Sequence, residues 1–174
     1  MTELTPRIYV ACLAAYNNGI LHGEWIDADK GVDHINEQVA AMLKAAPVEL
    51  AEEWAIHDFE GFEGFKLNEY ASFDRVAEIA EFIAEHGRTG SLIADSYGND
   101  LTAAREAMED RYYGKWDDMA EFAEHLTEET GELDKLPENL ARYIDFEAMG
   151  RDMVHDGAWI CIEDGYKTHV FAVG

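Results

Sequence analysis

Positive charge is what this chain most lacks. Thirteen lysines and arginines face 37 aspartates and glutamates, a formal charge of −24 over 174 residues. Such an imbalance opposes folding by self-repulsion and excludes nucleic acid or an anionic membrane as partner. It favours a basic partner instead. Solubility alone asks for a magnitude of only about 2–8 in a small domain. Salt adaptation is a competing source of the charge, and the large apolar and aromatic content does not favour it. Cysteine is nearly absent too: Cys12 and Cys161 lie far apart in strand-like segments. The expectation is two free thiols in a reducing cytoplasm, with nothing to support a disulfide. No apolar run is long enough to span a membrane, and the short one at Ile8–Tyr16 reads as a strand, not a signal peptide.

Catalytic and metal-binding patterns are missing as well. The seven histidines stand singly, with no zinc spacing and no HExxH. No phosphate-cradling glycine loop, nucleophile elbow or calcium loop occurs. His57-Asp58 and His155-Asp156 are adjacent in sequence, which in a strand points them to opposite faces. These observations imply neither an enzyme nor a cofactor.

What is present is a folding chain: 48% hydrophobic and 11% aromatic, far too apolar for disorder. Arg7–Ala14 and Ile20–Ile26 are rich in β-formers, and Tyr16-Asn17-Asn18-Gly19 between them predicts a β-hairpin. A helix is expected over Asp29–Ala46, ended by Pro47, and a third strand over Glu53–Phe59. Gly61–Gly64 reads as a linker. Leu67–Ser91 is helical, and Asn99-Asp100 can cap a helix over Leu101–Tyr113. A helix within Tyr113–Gly131 follows, then another over Asn139–His155. Trp159–Ile162 and Tyr166–Phe171 flank Asp164-Gly165, a strong hairpin signal. The expected fold is α+β in three small domains: an antiparallel sheet plus helix over residues 1–61, a helical middle over 62–98, and helices plus a β-hairpin over 99–174.

Two helices carry the unusual chemistry. In Ser72–Gly87, with Ser72 placed to cap the helix start and Gly87 to close its end, Phe73, Val76, Ala77, Ala80 and Ile83 form an inner face, while Asp74, Glu78, Glu81 and Glu85 step by four, three and four outside it. In Tyr113–Gly131, Met119, Phe122, Ala123 and Leu126 form the inner face. Asp117, Glu121, Glu124 and Glu128 repeat the same steps opposite. At about 100° per residue each set occupies a strip roughly 60° wide. A solvated face explains one such strip, yet ordinary solvated faces mix in basic residues, because like charges at i, i+4 oppose the helix by a few tenths of a kcal/mol. Neither strip contains one. Acids continue around them, with Glu106, Glu109 and Asp110 outward on the preceding helix and Asp118, Glu129 and Glu132 beside the second strip.

Alternating steps of three and four repeat every ~5.3 Å along a helix, against ~3.4 Å for the phosphates of one DNA strand. One strip is about two-thirds as dense as a phosphate strand, and two side by side would match it. A pair of chains, each at −24, would carry the charge of roughly 24 base pairs. The magnitude suits a decoy for a DNA-binding groove. A less specific acidic module or chaperone for basic, DNA-associated proteins is the other reading.

The same residues carry a family resemblance. Pro6-Arg-Ile-Tyr-Val-Ala-Cys-Leu-Ala-Ala-Tyr-Asn-Asn-Gly-Ile-Leu-His-Gly-Glu-Trp-Ile-Asp27 resembles the opening of the ArdA antirestriction proteins. Trp54–Phe62, the run YYGKWDDMAEFAEHLTEETGEL and Asn139–Phe146 resemble later blocks in the family order. The resemblance implies a non-catalytic, cytoplasmic DNA mimic made by mobile elements, which occupies the DNA site of type I restriction–modification enzymes. It also implies three α/β domains in a line and a homodimer joined through the C-terminal domains. The partner-binding carboxylates would then be Asp74, Glu78, Glu81, Glu85, Glu106, Glu109, Asp110, Asp117, Asp118, Glu121, Glu124, Glu128, Glu129 and Glu132, with no cofactor and no metal.

Overall fold

The computed structural model describes residues 5–174, and the chain divides into two compact units, Met1–Arg105 and Glu106–Gly174. The boundary falls inside a helix. Among the described residues the architecture is α+β, as expected, with two three-stranded antiparallel sheets and seven α-helices.

In the first unit β1 (Arg7–Cys12) is the central strand, flanked by β2 (Gly23–Asp27) and β3 (Trp54–Glu60). Ile8, Val10 and Cys12 alternate onto the buried face. The expected hairpin turn at residues 16–19 is replaced by a short helix, α1 (Leu13–Asn17). Leu13, Ala14 and Ala15 favour helix, and the Asn18 side chain donates back to the Ala14 carbonyl at 2.8 Å. Pairing therefore stops at Ala11 opposite Gly23, and both strands are shorter than their apolar content suggested.

Helix α2 (Val32–Lys44) buries Ile35, Val39 and Met42, spaced four and three apart, against this sheet. Strand β3 pairs with β1 through a bulge: Val10 faces Ile56 and Tyr9 faces Asp58, so His57 has no opposite residue. Helix α3 (Phe73–Ser96) is anchored to β3 by Phe73 stacked on Trp54, ring centroids 3.9 Å apart. The Ser72 side chain caps its start, accepting from the Arg75 N–H. Gly87 breaks it at φ 57°, where the sequence placed the helix end. Helix α4 (Leu101–Asp110) begins at Asp100, whose carboxylate accepts from the Thr102 and Ala103 N–H groups.

In the second unit, β4 (Tyr112–Trp116) occupies residues the sequence assigned to the ends of two helices. Helix α4 stops at Asp110, and the aromatic Tyr112, Tyr113 and Trp116 enter a sheet. Gly114, at φ 104°, absorbs the register irregularity between Tyr112 and Lys115, a conformation that L side chains rarely adopt. Helix α5 (Met119–Glu129) follows, then a single 3-10 turn at Leu133–Lys135. The predicted helix over Asn139–His155 is two pieces, α6 (Glu138–Ala141) and α7 (Phe146–His155). Asp145 caps the second by accepting from the Ala148 N–H, which separates it from the first.

Strands β5 (Trp159–Asp164) and β6 (Lys167–Ala172) form the predicted hairpin. Its two-residue loop is Gly165-Tyr166, one position later than the Asp-Gly signal, because Asp164 still pairs with Lys167. The sheet order is β4-β6-β5, so β6 is central.

Phe122 and Phe171 are fully buried in this unit. The Phe122 ring sits among Trp159, Trp116 and Tyr113, with centroids 4.9, 5.6 and 6.1 Å away. Gly150 of α7 lies directly against the start of α5: a Cβ there would come within 2.6 Å of the Met119 carbonyl oxygen. Cys12 and Cys161 are both free thiols, and burial pushes the Cys161 thiol up from its ordinary range. Among the described residues no helix is long and apolar enough to cross a membrane.

Candidate functional site

The strip on α3 has its backbone basis. Phe73, Val76, Ile79, Ala80, Phe82 and Ile83 turn inward and are buried, a wider face than the periodicity indicated, with Ala77 at its margin. Asp74, Glu78, Glu81 and Glu85 are therefore all on the exposed side. The strip is not free of bases, however. Arg75, on the same helix, pairs with Glu78 at 2.7 Å. Arg105 lies 5.4 Å over the Phe82 ring and reaches Glu85 at 2.8 Å. A base brought from twenty residues away is invisible to periodicity along one helix. Asp74 and Glu81 have no ion-pair partner among the described residues, and Asp74 sits where the helix dipole favours an acid.

The second strip is shorter than its spacing implied. Asp117 precedes the helix and does not belong to it; α5 starts at Met119 because the Asp118 carboxylate caps it, accepting from the Ala120 and Glu121 N–H groups at 2.9 Å each. Asp117 is instead held by Lys167 of β6, and the pairing raises the Lys167 pKa above its ordinary value. Glu121 folds back onto the chain before the cap, accepting the Asp117 N–H. Glu124 and Glu128 project into solvent without an ion-pair partner among the described residues. Glu129 lies 3.8 Å from His125, and Glu132 is exposed beyond Gly131, which takes the left-handed helix-ending conformation at φ 67°.

On α4, Glu106 pairs with Arg111 at 2.8 Å, while Glu109 and Asp110 stay exposed. All fourteen candidate carboxylates are thus on the surface, but the structure assigns them three kinds of work. Glu78, Glu85, Glu106 and Asp117 are countered by cations. Asp118 and Glu121 hold the start of α5. Glu129 stands beside His125, and Asp74, Glu81, Glu109, Asp110, Glu124, Glu128 and Glu132 project charge uncompensated by any ion pair among the described residues. Exposed acids also extend beyond the two strips: of all described acids, only Asp27, Glu60 and Asp164 are partly sheltered. Glu49, Glu52, Glu53, Glu63 and Glu69 lie in loops, where no helical or strand period could single them out.

Among the described residues no group of three or more His, Cys, Asp or Glu side chains is placed to hold a metal ion. The Tyr112 hydroxyl meets His169 Nδ1 at 2.8 Å, and Lys115 meets Asp164 Oδ2 at 3.0 Å, with His169 Nε2 3.7 Å from the same oxygen. That group ties β4, β5 and β6 together within the sheet. The chemistry available on the surface is the presentation of negative charge.

A family model described as antirestriction protein (ArdA) matches residues 8–168. This chain belongs to the ArdA antirestriction family. The matched span takes in every helix and both sheets apart from Arg7 of β1 and the last four residues of β6, so membership covers most of the folded body of the chain. A search among curated individual proteins found no match. Members of this family are antirestriction proteins, which points to restriction enzymes as the systems they act against.

Proposed function

We propose that this chain is a mimic of double-stranded DNA that occupies the DNA-binding site of a type I restriction–modification enzyme and inhibits it without catalysis. The observation that carries the reading is the set of uncompensated, outward carboxylates: Glu124 and Glu128 one helical turn apart on α5, and Asp74 and Glu81 two turns apart on α3. Rises of ~1.5 Å per residue put such charges ~6 and ~10 Å apart, distances that a groove built to hold successive phosphates also spans. A net charge of −24 supplies the long-range steering that DNA itself enjoys.

The same reading includes a homodimer acting in the cytoplasm alongside its target. The segment around α6 supports self-association, since Leu136, Leu140 and Tyr143 are 43, 51 and 79% exposed there. The second reading, an acidic module for basic DNA-associated proteins, has one observation in its favour. Arg75 and Arg105 interrupt the α3 strip, which makes it a less regular copy of a phosphate row.

The test is a purified type I enzyme assayed for DNA cleavage with the chain and with its Glu124→Gln/Glu128→Gln/Glu132→Gln variant. Mimicry requires that the variant fold normally and need a higher concentration for half-inhibition. Equal inhibition by both at matched ionic strength would remove these carboxylates from the account.

A further inference from the structure

The first unit also contains an open cavity of about 500 Å³ lined by Tyr16, Ile56, His57, Phe59, Leu67 and Glu69. It exists because of two local departures from regular structure. The bulge in β3 leaves His57 unpaired in register and exposed. The chain between Phe65 and Ser72 then crosses the strand edge, where the Glu69 carbonyl accepts the Ile56 N–H at 3.0 Å. Tyr16, from α1, is one of the lining residues and 53% exposed, its ring and that of His57 nearly perpendicular at 83° with centroids 4.9 Å apart.

The lining is chemically specific. Leu67 and Phe59, both half-buried, give the apolar part of a mostly polar lining, Tyr16 gives an exposed ring, and Glu69 supplies an exposed carboxylate with no cationic partner among the described residues. A long aliphatic stem ending in a planar cation complements all three at once: the stem against the apolar part, the cation on the ring and on the carboxylate. Arginine fits better than lysine, because a guanidinium stacks and bonds a carboxylate through two N–H groups. We infer that this cavity is a socket for an arginine side chain presented by the basic partner protein. The inference rests on the proposed reading that the partner is a basic, DNA-handling protein, and adds to it one anchoring contact that DNA itself does not make. Buried arginines of this kind are frequent anchors of protein interfaces, whereas the surrounding exposed pairs contribute little.

The experiment is a titration of the isotope-labelled full chain with N-acetyl-arginine amide, followed by amide NMR shifts. N-acetyl-lysine amide and N-acetyl-norleucine amide serve as controls. Saturable shifts confined to residues 16, 56–59 and 67–69, stronger for arginine than for lysine and absent for norleucine, are expected. Glu69→Gln, which keeps the structural backbone carbonyl, should weaken arginine binding about tenfold. Shifts scattered over all surface acids, or unchanged by Glu69→Gln, would overturn the socket. The two proposals fail separately. If the chain does not compete with DNA for the enzyme but arginine still binds here, only the mimicry falls. If it competes and arginine shows no localised binding, only the socket falls.

Discussion

The Glu121 carboxylate accepts the backbone N–H of Asp117 at 2.6 Å. Two residues that periodicity sets side by side as equivalent members of one charged strip are in fact joined as parts of a helix start. With Asp118 as cap, Glu121 is the acid three residues on that folds back, a variant of the capping box in which the N–H taken is the one before the cap. Charge at this position therefore serves the fold as well as the surface. Glu121→Ala should lower stability by on the order of 1 kcal/mol in denaturant unfolding, and Glu121→Gln, which keeps an acceptor, by less. Equal stability of all three chains would show that the contact does not hold the helix.

Phe122 should be far less forgiving. It is fully buried, and Trp116, Trp159 and Tyr113 pack around it. Phe122→Ala is expected to cost about 3–5 kcal/mol by removing apolar contact and leaving a cavity. A melting curve of unchanged midpoint would contradict the burial.

Gly150 tests the packing of α7 on α5. A methyl group there meets backbone atoms, the Met119 carbonyl at 2.6 Å and the Ala120 nitrogen at 3.0 Å, which cannot rotate away as a side chain would. Gly150→Ala should destabilise by about 1–3 kcal/mol, although alanine is the better helix former. A gain in stability would mean that the two helices are not in contact here.

The three-strand N-terminal sheet, α2, the capped start and glycine break of α3, the cap of α4 and the C-terminal hairpin were all legible, because each is written in local period, caps and turn residues. Strand β4 was not. Tyr112–Trp116 is five residues long, contains Gly114 in a left-handed conformation, and gains its strand character from pairing with β6 more than fifty residues later. The short α1 was hidden by the turn-like Asn17-Asn18-Gly19 behind it. At the candidate site, exposure of the acids followed directly from the helical period. Their neutralisation did not, since Arg105 reaches Glu85 and Lys167 reaches Asp117 across the fold. The socket beside Glu69 depends on a bulge and a crossing segment, neither of which leaves a mark in hydrophobic periodicity.

The central claim is that the chain and duplex DNA occupy one site on the same enzyme. A fluorescently labelled duplex bound to a purified type I restriction–modification enzyme, titrated with this chain and read by anisotropy, tests that most directly. The account predicts complete displacement following a one-site competitive curve, with the affinity of the chain falling linearly in log salt as expected for a polyanion. A ternary complex in which labelled DNA stays bound while the chain saturates the enzyme would contradict it.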